Sequence, residues 1–177
     1  IVLKTAVLDI LEQDGYKFKD LNKNGELDPY ADWRLTPEER TEDLLSRMSD
    51  KNKAAQMAHM TLVTLKESWF SDLDIGFALT YTYFAESKES AGEKMNYVQS
   101  LCEESELGIP VVVSMDSVIG ASWINDTTIL PDAITLGATG DAELVQELAD
   151  IQRQEMKALG VRMSLSPNAD LATDPRW

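Results

Sequence analysis

Two segments of the sequence carry carboxylates shortly after apolar runs. Asp116 follows the run 111–113, and Asp170 and Asp174 lie in the segment 167–177, which follows a shorter run around Met163. In parallel α/β proteins, functional groups collect at the carboxyl ends of the strands, where the loops converge. Because a carboxylate has two acceptor oxygens in one plane, Asp116 can bind two neighbouring hydroxyl groups of a sugar. The alternative for Asp116 is an ordinary loop-capping role.

The other reactive side chains have simpler structural explanations. Asp170 and Asp174 are a conceivable acid/base pair, but hydrogen bonding within turns is the commoner role of such residues. His59, the only histidine, falls in a Met-rich stretch that we predict to be helical, which favours a packed or surface role over proton transfer. Cys102, the only cysteine, excludes an intrachain disulfide, and its helical setting predicts a buried, inert thiol.

The loop 20–32 follows part of the pattern of a calcium-binding loop, with glycine at its sixth position. Its candidate oxygen ligands are Asp20, Asn22, Asn24 and Asp28. The twelfth position, which needs a bidentate acid, is Ala31, and Asp32 is one residue out of register. The pattern therefore predicts a weak calcium site or none, and a turn rich in Asn, Asp and Gly is the alternative.

The helices that must position these residues have recognisable start signals and apolar faces. Thr36 and Glu39 flank Pro37 in a capping box, which predicts a helix starting there. A second helix is expected from Ser49 through His59. Longer amphipathic helices are expected over 88–106 and 141–158.

Three short strands are expected between these helices, over 75–81, 111–113 and around 163–165. Their apolar residues do not alternate with polar ones, which is typical of strands buried on both faces of a parallel sheet. Strands that alternate with helices of this length indicate βαβ units. Periodicity alone does not separate an open doubly wound sheet from a barrel.

The charge of the chain excludes some classes of partner. Thirty-one acidic residues against sixteen basic ones give a net charge of −15. Such a surface repels phosphate backbones and anionic membranes, so we expect neither nucleic acid nor membrane as a partner. The sequence has no run of about 18 apolar residues and no basic, apolar leader, so we expect no membrane span and no signal peptide.

Six short motifs appear in the order that they have in a known enzyme family, and they are spread along nearly the whole chain. They are DLNKNG (20–25), DPY (28–30), DWR (32–34), EDLLSRM (42–48), LGIPVVVSMD (107–116) and DLATDPRW (170–177). On these motifs the sequence resembles the N-terminal part of glycoside hydrolase family three. The resemblance implies an α/β fold, the N-terminal portion of a (β/α)8 TIM-like barrel with about three βα units after an irregular arm.

The resemblance also implies domain limits and residue roles. Residues 1–35 would be the arm with its calcium-loop-like turn, and residues 36–177 a partial barrel that ends before the catalytic nucleophile. Asp116 matches the aspartate that holds hydroxyls of the sugar in the −1 subsite, and Arg176 belongs to a run that binds the same sugar. The nucleophile and the acid/base residue come later in the family, so no catalytic residue is expected in this chain. Ser117 and Val118 stand where many members carry a His-Gly pair.

The expected function is that of the N-terminal part of a retaining, exo-acting β-glycosidase, resembling a β-glucosidase, that hydrolyses terminal β-linked glucosyl residues and needs no cofactor. Its substrate would be an oligosaccharide or β-glucoside, and the remainder of the barrel would come from the same chain or a second one. The resemblance favours a periplasmic or secreted location. The alternatives are a non-catalytic carbohydrate-binding or interaction module and, on the 20–32 loop, a calcium-dependent docking module.

Overall fold

The computed structural model describes residues 3–168 and 173–174. Its N-terminal segment begins with an antiparallel hairpin, β1 (Ile10–Gln13) and β2 (Tyr16–Lys19). The expectation of a wholly irregular arm is therefore wrong. Asp14 and Gly15 both adopt a positive φ, 55° and 77°, as a two-residue type I′ turn requires, and Asp-Gly is a preferred sequence for that turn.

Six α-helices follow in the described part of the chain. They are α1 (Pro37–Arg47), α2 (Asp50–Gln56), α3 (Ser68–Ser71), α4 (Lys88–Glu104), α5 (Ala133–Ala138) and α6 (Ala142–Ala158). The predicted capping box is confirmed, because the Thr36 side chain accepts from the Glu39 amide and the Glu39 carboxylate accepts from the Thr36 amide. None of the described helices is long and apolar enough to cross a membrane.

The central sheet has four described strands: β3 (His59–Leu62), β4 (Phe77–Thr80), β5 (Val112–Met115) and β6 (Met163–Ser164). All neighbouring strands are parallel, and their spatial order is β3-β4-β5-β6, the same as their order in the chain. A doubly wound sheet reverses its strand order at a switch point, whereas a barrel adds each strand beside the previous one. The sheet therefore has the connectivity of a barrel wall.

The first strand of this sheet differs from the prediction. The second helix ends at Gln56, and His59 lies in β3 instead of in the helix. The helix stops because the chain turns into the sheet: the Ala55 and Ala58 carbonyls accept hydrogen bonds from Gly76 and Phe77 at 3.1 Å each. Gly76 has no room for a side chain, since a Cβ there would lie 2.0 Å from the Gln56 carbonyl oxygen.

The two faces of the sheet have different surroundings. Side chains that pack against the helices form the core, and they include Leu62, Ala78, Val113 and Met115. Because successive side chains of a strand alternate between faces, His59, Phe77, Leu79 and Ser114 lie on the opposite face, which would be the inside of a barrel. The face packed on α4 and α6 thus carries most of the apolar burial.

Glu103 near the end of α4 ties the N-terminal segment to the sheet domain. Its carboxylate accepts hydrogen bonds from Lys19 Nζ at 2.6 Å, Ala6 N at 2.7 Å, Thr5 Oγ1 at 2.9 Å and Val7 N at 3.2 Å. Burial alone would raise the pKa of Glu103, but these donors outweigh burial and hold the pKa below its usual range. Glu103 is thus one anchor of the N-terminal segment, beside the hydrogen bonds of Lys23 to the Ser105 carbonyl and of Tyr30 to the Leu107 carbonyl.

Candidate functional site

Asp116 is the first residue after β5, at the carboxyl end of the strand, and it is exposed. Among the residues that the structure describes, none donates a hydrogen bond to its carboxylate or forms an ion pair with it. A loop-capping aspartate would instead accept from nearby backbone amides, as Asp132 does from Thr135 N at 2.8 Å. The geometry therefore favours the ligand-binding interpretation of Asp116 over the capping one.

Ser117, the next residue, is in the opposite situation. It is 1% exposed and all its polar groups are bonded. Its amide donates to Ser166 Oγ at 3.1 Å, its carbonyl accepts from Gln152 Nε2 at 2.6 Å, and its hydroxyl lies 2.8 Å from Ser164 Oγ. Sequence reasoning missed these residues because the partners lie 35 to 49 positions away.

An aromatic pair stands near the same ends of the strands. Tyr81 directly follows β4, and Trp123 lies in the loop 116–131 that follows β5. Their ring centroids are 5.0 Å apart with the planes tilted by 41°, and Trp123 is 38% exposed. Because Tyr81 lies at the end of an apolar run, the sequence alone could have placed it at the end of a strand. The position of Trp123, by contrast, depends on the fold of the loop.

The loop 116–131 is closed by hydrogen bonds between its own two halves. Gly120 and Ile129 form an antiparallel bridge, and the Leu130 amide donates to the Ile119 carbonyl at 3.0 Å. Gly120 has a φ of +91°, and a Cβ there would lie 2.4 Å from the Thr128 carbonyl oxygen, so only glycine fits. The loop therefore presents Asp116 and Trp123 from a fixed frame.

His59 is the first residue of β3 and lies on the face of the sheet that would be the inside of a barrel. Its Nε2 is 2.6 Å from Ser114 Oγ, which also donates to the Ala78 carbonyl at 3.3 Å. With the Ser114 proton used in that second bond, the hydroxyl accepts from a protonated Nε2. His59 thus forms a hydrogen bond between β3 and β5, two residues before Asp116.

The calcium-like loop closes through its own hydrogen bonds. Asp20, which is buried, accepts from Asn24 N and Gly25 N at 3.1 and 2.8 Å. Asp28 Oδ2 accepts from the side-chain amides of Asn22 and Asn24 at 2.7 and 2.9 Å. Of these side-chain oxygens, Asn22 Oδ1 is buried without a partner within the described structure.

The Arg47 guanidinium forms an ion pair with the Asp28 carboxylate of this loop. Arg47 Nη2 lies 2.7 Å from Asp28 Oδ1, and its Nε lies 2.9 Å from Asp43 Oδ2. Calcium needs six to eight oxygen ligands, whereas the loop offers one uncommitted buried oxygen. Across the described residues, no cluster of three or more His, Cys, Asp or Glu side chains is arranged to hold a metal ion. In the structure, the Asp20 and Asp28 carboxylates are thus engaged by backbone amides, side-chain amides and Arg47.

Two residues singled out in the sequence, Arg176 and Asp170, lie outside the described residues. Cys102 is buried as expected, and burial raises the pKa of its thiol to about 11, which leaves it protonated at neutral pH.

Comparison with known proteins gives three concordant similarities. The family description "Glycosyl hydrolase family 3 N terminal domain" matches residues 49–177. A periplasmic beta-glucosidase/beta-xylosidase from Dickeya chrysanthemi is 37% identical over 99% of this chain, and beta-glucosidase C from Emericella nidulans is 30% identical over 89%. The chain spans 30% and 28% of the lengths of these two relatives.

A solved structure shares the fold. The exo-1,3/1,4-beta-glucanase from a Pseudoalteromonas species superposes with a TM-score of 0.72 at 25% identity, over 80% of this chain and 19% of that one. The residues matched by the family description include all four strands of the sheet and the loop of Asp116. The chain therefore belongs to glycoside hydrolase family 3, and its parallel sheet is part of the wall of the family's TIM-like α/β barrel.

Proposed function

We propose that the protein of which this chain forms part is a retaining, exo-acting β-glycosidase that hydrolyses terminal β-linked glucosyl residues. This chain would supply part of the −1 sugar subsite through Asp116. The observation that carries the proposal is the state of Asp116: its carboxylate is exposed at the carboxyl end of a barrel strand and has no partner among the described residues, and the next residue is fully bonded. The names of the relatives, beta-glucosidases and an exo-glucanase, support the substrate class.

Asp116 would act as a binding residue and not as the nucleophile. Its two oxygens can accept from two hydroxyls of one sugar ring, and hydrogen bonds to an ionised acceptor are stronger than neutral ones. Retaining hydrolysis needs two further carboxyl groups about 5–5.5 Å apart, one as nucleophile and one as acid/base. We place that pair in the part of the barrel beyond this chain. The reaction requires no cofactor.

Tyr81 and Trp123 would give the subsite an apolar surface. A pyranose ring has a face of C–H groups that can lie against an aromatic ring, while its hydroxyls point outward to polar groups. The exposure of Trp123 and its contact with Tyr81 support this role. Binding sites commonly combine aromatic walls with a few placed polar groups, and Asp116 would be one of those groups here.

We propose that the loop 20–32 folds without calcium, with Arg47 supplying the positive charge. The support is the pairing of Arg47 with Asp28 and the use of Asp20 by two backbone amides. This region packs beside the start of β5, since a Cβ on Gly108 would lie 2.4 Å from the Leu21 carbonyl oxygen. It therefore lies at the amino end of the strand, away from Asp116.

We also propose a periplasmic or secreted location and a barrel completed by further sequence. The name of the Dickeya relative supports the location. Exposed apolar residues on α5 and β6, Ile134 at 84% and Met163 at 37% exposure, support the presence of a covering element. A non-catalytic sugar-binding module has no observation in its favour, and hydrolysis of an aryl β-glucoside by the complete protein would exclude it.

Substitution of Asp116 tests the proposed subsite. In the complete protein, Asp116→Asn removes the charge and half of the acceptor capacity, so kcat/KM for an aryl β-glucoside should fall by about two to four orders of magnitude. Asp126→Asn is the matched control, because Asp126 is exposed in the same loop and Asn tolerates its φ of +64°. An unchanged kcat/KM for Asp116→Asn would reduce Asp116 to a loop residue.

A further inference from the structure

We propose that Gln152 and the segment 164–166 hold the backbone around Asp116 in the orientation that sugar binding needs, so that Gln152 and Ser166 are positioning residues of the subsite. This inference rests on the proposed role of Asp116. It is carried by a contrast: the peptide groups on both sides of Asp116 are fixed by hydrogen bonds, whereas its carboxylate has no partner among the described residues.

The two peptide planes that flank Asp116 are both fixed by the β6 segment. The Met115 carbonyl accepts from the Leu165 amide at 3.0 Å, which fixes the plane before Asp116. The Ser117 amide donates to Ser166 Oγ at 3.1 Å, which fixes the plane after it. Because each peptide unit is planar, fixing both planes sets φ and ψ of Asp116 and the direction of its Cα–Cβ bond. Only the side-chain torsions stay free.

Gln152 on α6 adds a third constraint. Its Nε2 donates to the Ser117 carbonyl at 2.6 Å and so fixes the next peptide plane. Ser117 is 1% exposed, so this carbonyl has no ready access to water and losing its partner is costly. The helix that packs on the outside of the sheet therefore acts on the strand end that carries Asp116.

Ser164 is hydrogen-bonded to both Ser166 and Ser117 and so helps to position the Ser166 hydroxyl. Ser164 Oγ accepts from the Ser166 amide at 3.1 Å and lies 2.8 Å from Ser117 Oγ. Ser164, Ser166 and Ser117 thus form a closed set of hydrogen bonds between the ends of β5 and β6. Closed sets of this kind are stiffer than single bonds, because moving one member strains the others.

The arrangement matters because a binding group must be held within about 0.5 Å of its productive position. A displacement of about 1 Å can lower the rate by up to about 100-fold. Without the Ser166 hydroxyl, the peptide plane after Asp116 loses its hydrogen bond, and without the Gln152 amide the following plane loses its own. Either change would leave Asp116 more room to shift. We therefore expect loss of either bond to weaken substrate affinity, in addition to the stability cost of leaving a buried Ser117 group without its partner.

The experiment uses Gln152→Met and Ser166→Ala in the complete protein, each alone and combined with Asp116→Ala. Both changes remove a hydrogen-bonding group and keep most of the side-chain volume. Gln154→Met is the matched control, because Gln154 lies on the same helix, is exposed and bonds only to Asp150 among the described residues. The measured quantities are kcat and KM for an aryl β-glucoside, with Tm recorded for every variant.

We expect Gln152→Met and Ser166→Ala each to raise KM by about 10-fold, which is one tenth of the roughly 100-fold effect of a displacement of about 1 Å. Gln154→Met should leave KM unchanged. With Asp116→Ala already present, neither change should lower kcat/KM further, because the group that they position is gone. Equal losses with and without Asp116, or an unchanged KM in either single variant that keeps its Tm, would overturn the inference. If Asp116→Ala alone has no effect, the proposed subsite itself fails, which is a distinct result.

Discussion

At the scale of single residues, the acidic side chains of this chain divide into two groups. Glu103 and Asp28 are held by several donors and join parts of the structure together. Asp116 is exposed, and no described residue pairs with it, although it follows a buried strand. A carboxylate that stabilises a fold needs donors within the fold, so Asp116 is a better candidate for binding a ligand than Glu103 or Asp28.

Glu103 gives a prediction about stability and pH. Glu103→Gln removes the charge that accepts from Lys19 and three groups near the N-terminus, and it should lower the free energy of unfolding by about 1–3 kcal/mol near pH 7. The pKa of Glu103 is lowered in the folded state, so its contribution is present above the unfolded-state pKa of about 4.3 and is lost as the pH falls through the lower folded-state value.

The measurement is Tm for both proteins from pH 7 down to pH 3. The difference in Tm between the original protein and Glu103→Gln should be constant near neutral pH and should shrink below about pH 4.3. Glu104→Gln, at the exposed neighbouring position, is the control and should show little difference at any pH. A gap that does not change with pH would mean that the charge of Glu103 is irrelevant.

At the scale of elements, capping and local sequence explain the ends of helices, while contacts between elements explain the loops. The loop 20–32 is the clearest case, because its sequence follows a calcium-binding pattern and its structure closes around Asp28 and Arg47. The guanidinium comes from the last residue of α1, outside the loop itself. Because α1 packs beside the loop, Arg47 supplies the positive charge that a bound ion would otherwise supply.

This interpretation predicts how the loop responds to calcium. Millimolar calcium should leave Tm of the unmodified protein unchanged, because a ligand stabilises a fold only when it binds the folded state preferentially. Arg47→Gln should lower the stability by about 1 kcal/mol, since both of its ion pairs are partly exposed. Thermal denaturation with calcium or with a chelator measures both effects.

Arg153→Gln is the matched control for Arg47→Gln, because Arg153 pairs with Asp150 on an exposed helix surface and should contribute almost nothing. A rise of several degrees in Tm when calcium is added to the unmodified protein would contradict the prediction. It would show that the amides of Asn22 and Asn24 reorient to bind the ion.

At the scale of the whole molecule, the described sheet has two open edges, at β3 and β6. Open parallel edges expose unpaired backbone groups and tend to associate. The β6 edge adjoins a groove lined by apolar side chains of α5 and α6, among them Leu136, Val145 and Leu148. In a closed barrel, further strands and helices would cover both the edges and the groove.

We therefore expect the 177-residue chain to self-associate when it is produced alone, and to become a defined complex when the remaining barrel sequence is supplied as a second chain. Native mass spectrometry measures both states. The expectation would be contradicted by a stable 19.7 kDa monomer that does not bind a dye specific for exposed apolar surface. The high negative charge of −15 favours solubility and would limit the size of the assemblies.

Much of the framework followed from the sequence. The capping box placed the start of α1, and apolar periodicity located α4, α6 and the runs that form β4, β5 and β6. These features depend on neighbouring residues, so they can be read locally. Six motifs in order identified the family, and the one at 107–116 also indicated the strand end that carries the candidate site. The Asp14-Gly15 turn is also a local hairpin signal, but the expectation of an irregular arm did not take it into account.

Only the tertiary structure decided the features that depend on distant partners. The residues 59–62 form a strand because β4 pairs with them, and a short Met-rich segment has no such preference of its own. The order of the four strands separated a barrel wall from an open sheet. The bonds of Ser117 to Gln152 and Ser166 join residues far apart in the chain, and sequence spacing carries no record of such contacts. Local sequence therefore determined the elements and the identity of Asp116, whereas long-range hydrogen bonding decided how Asp116 is presented.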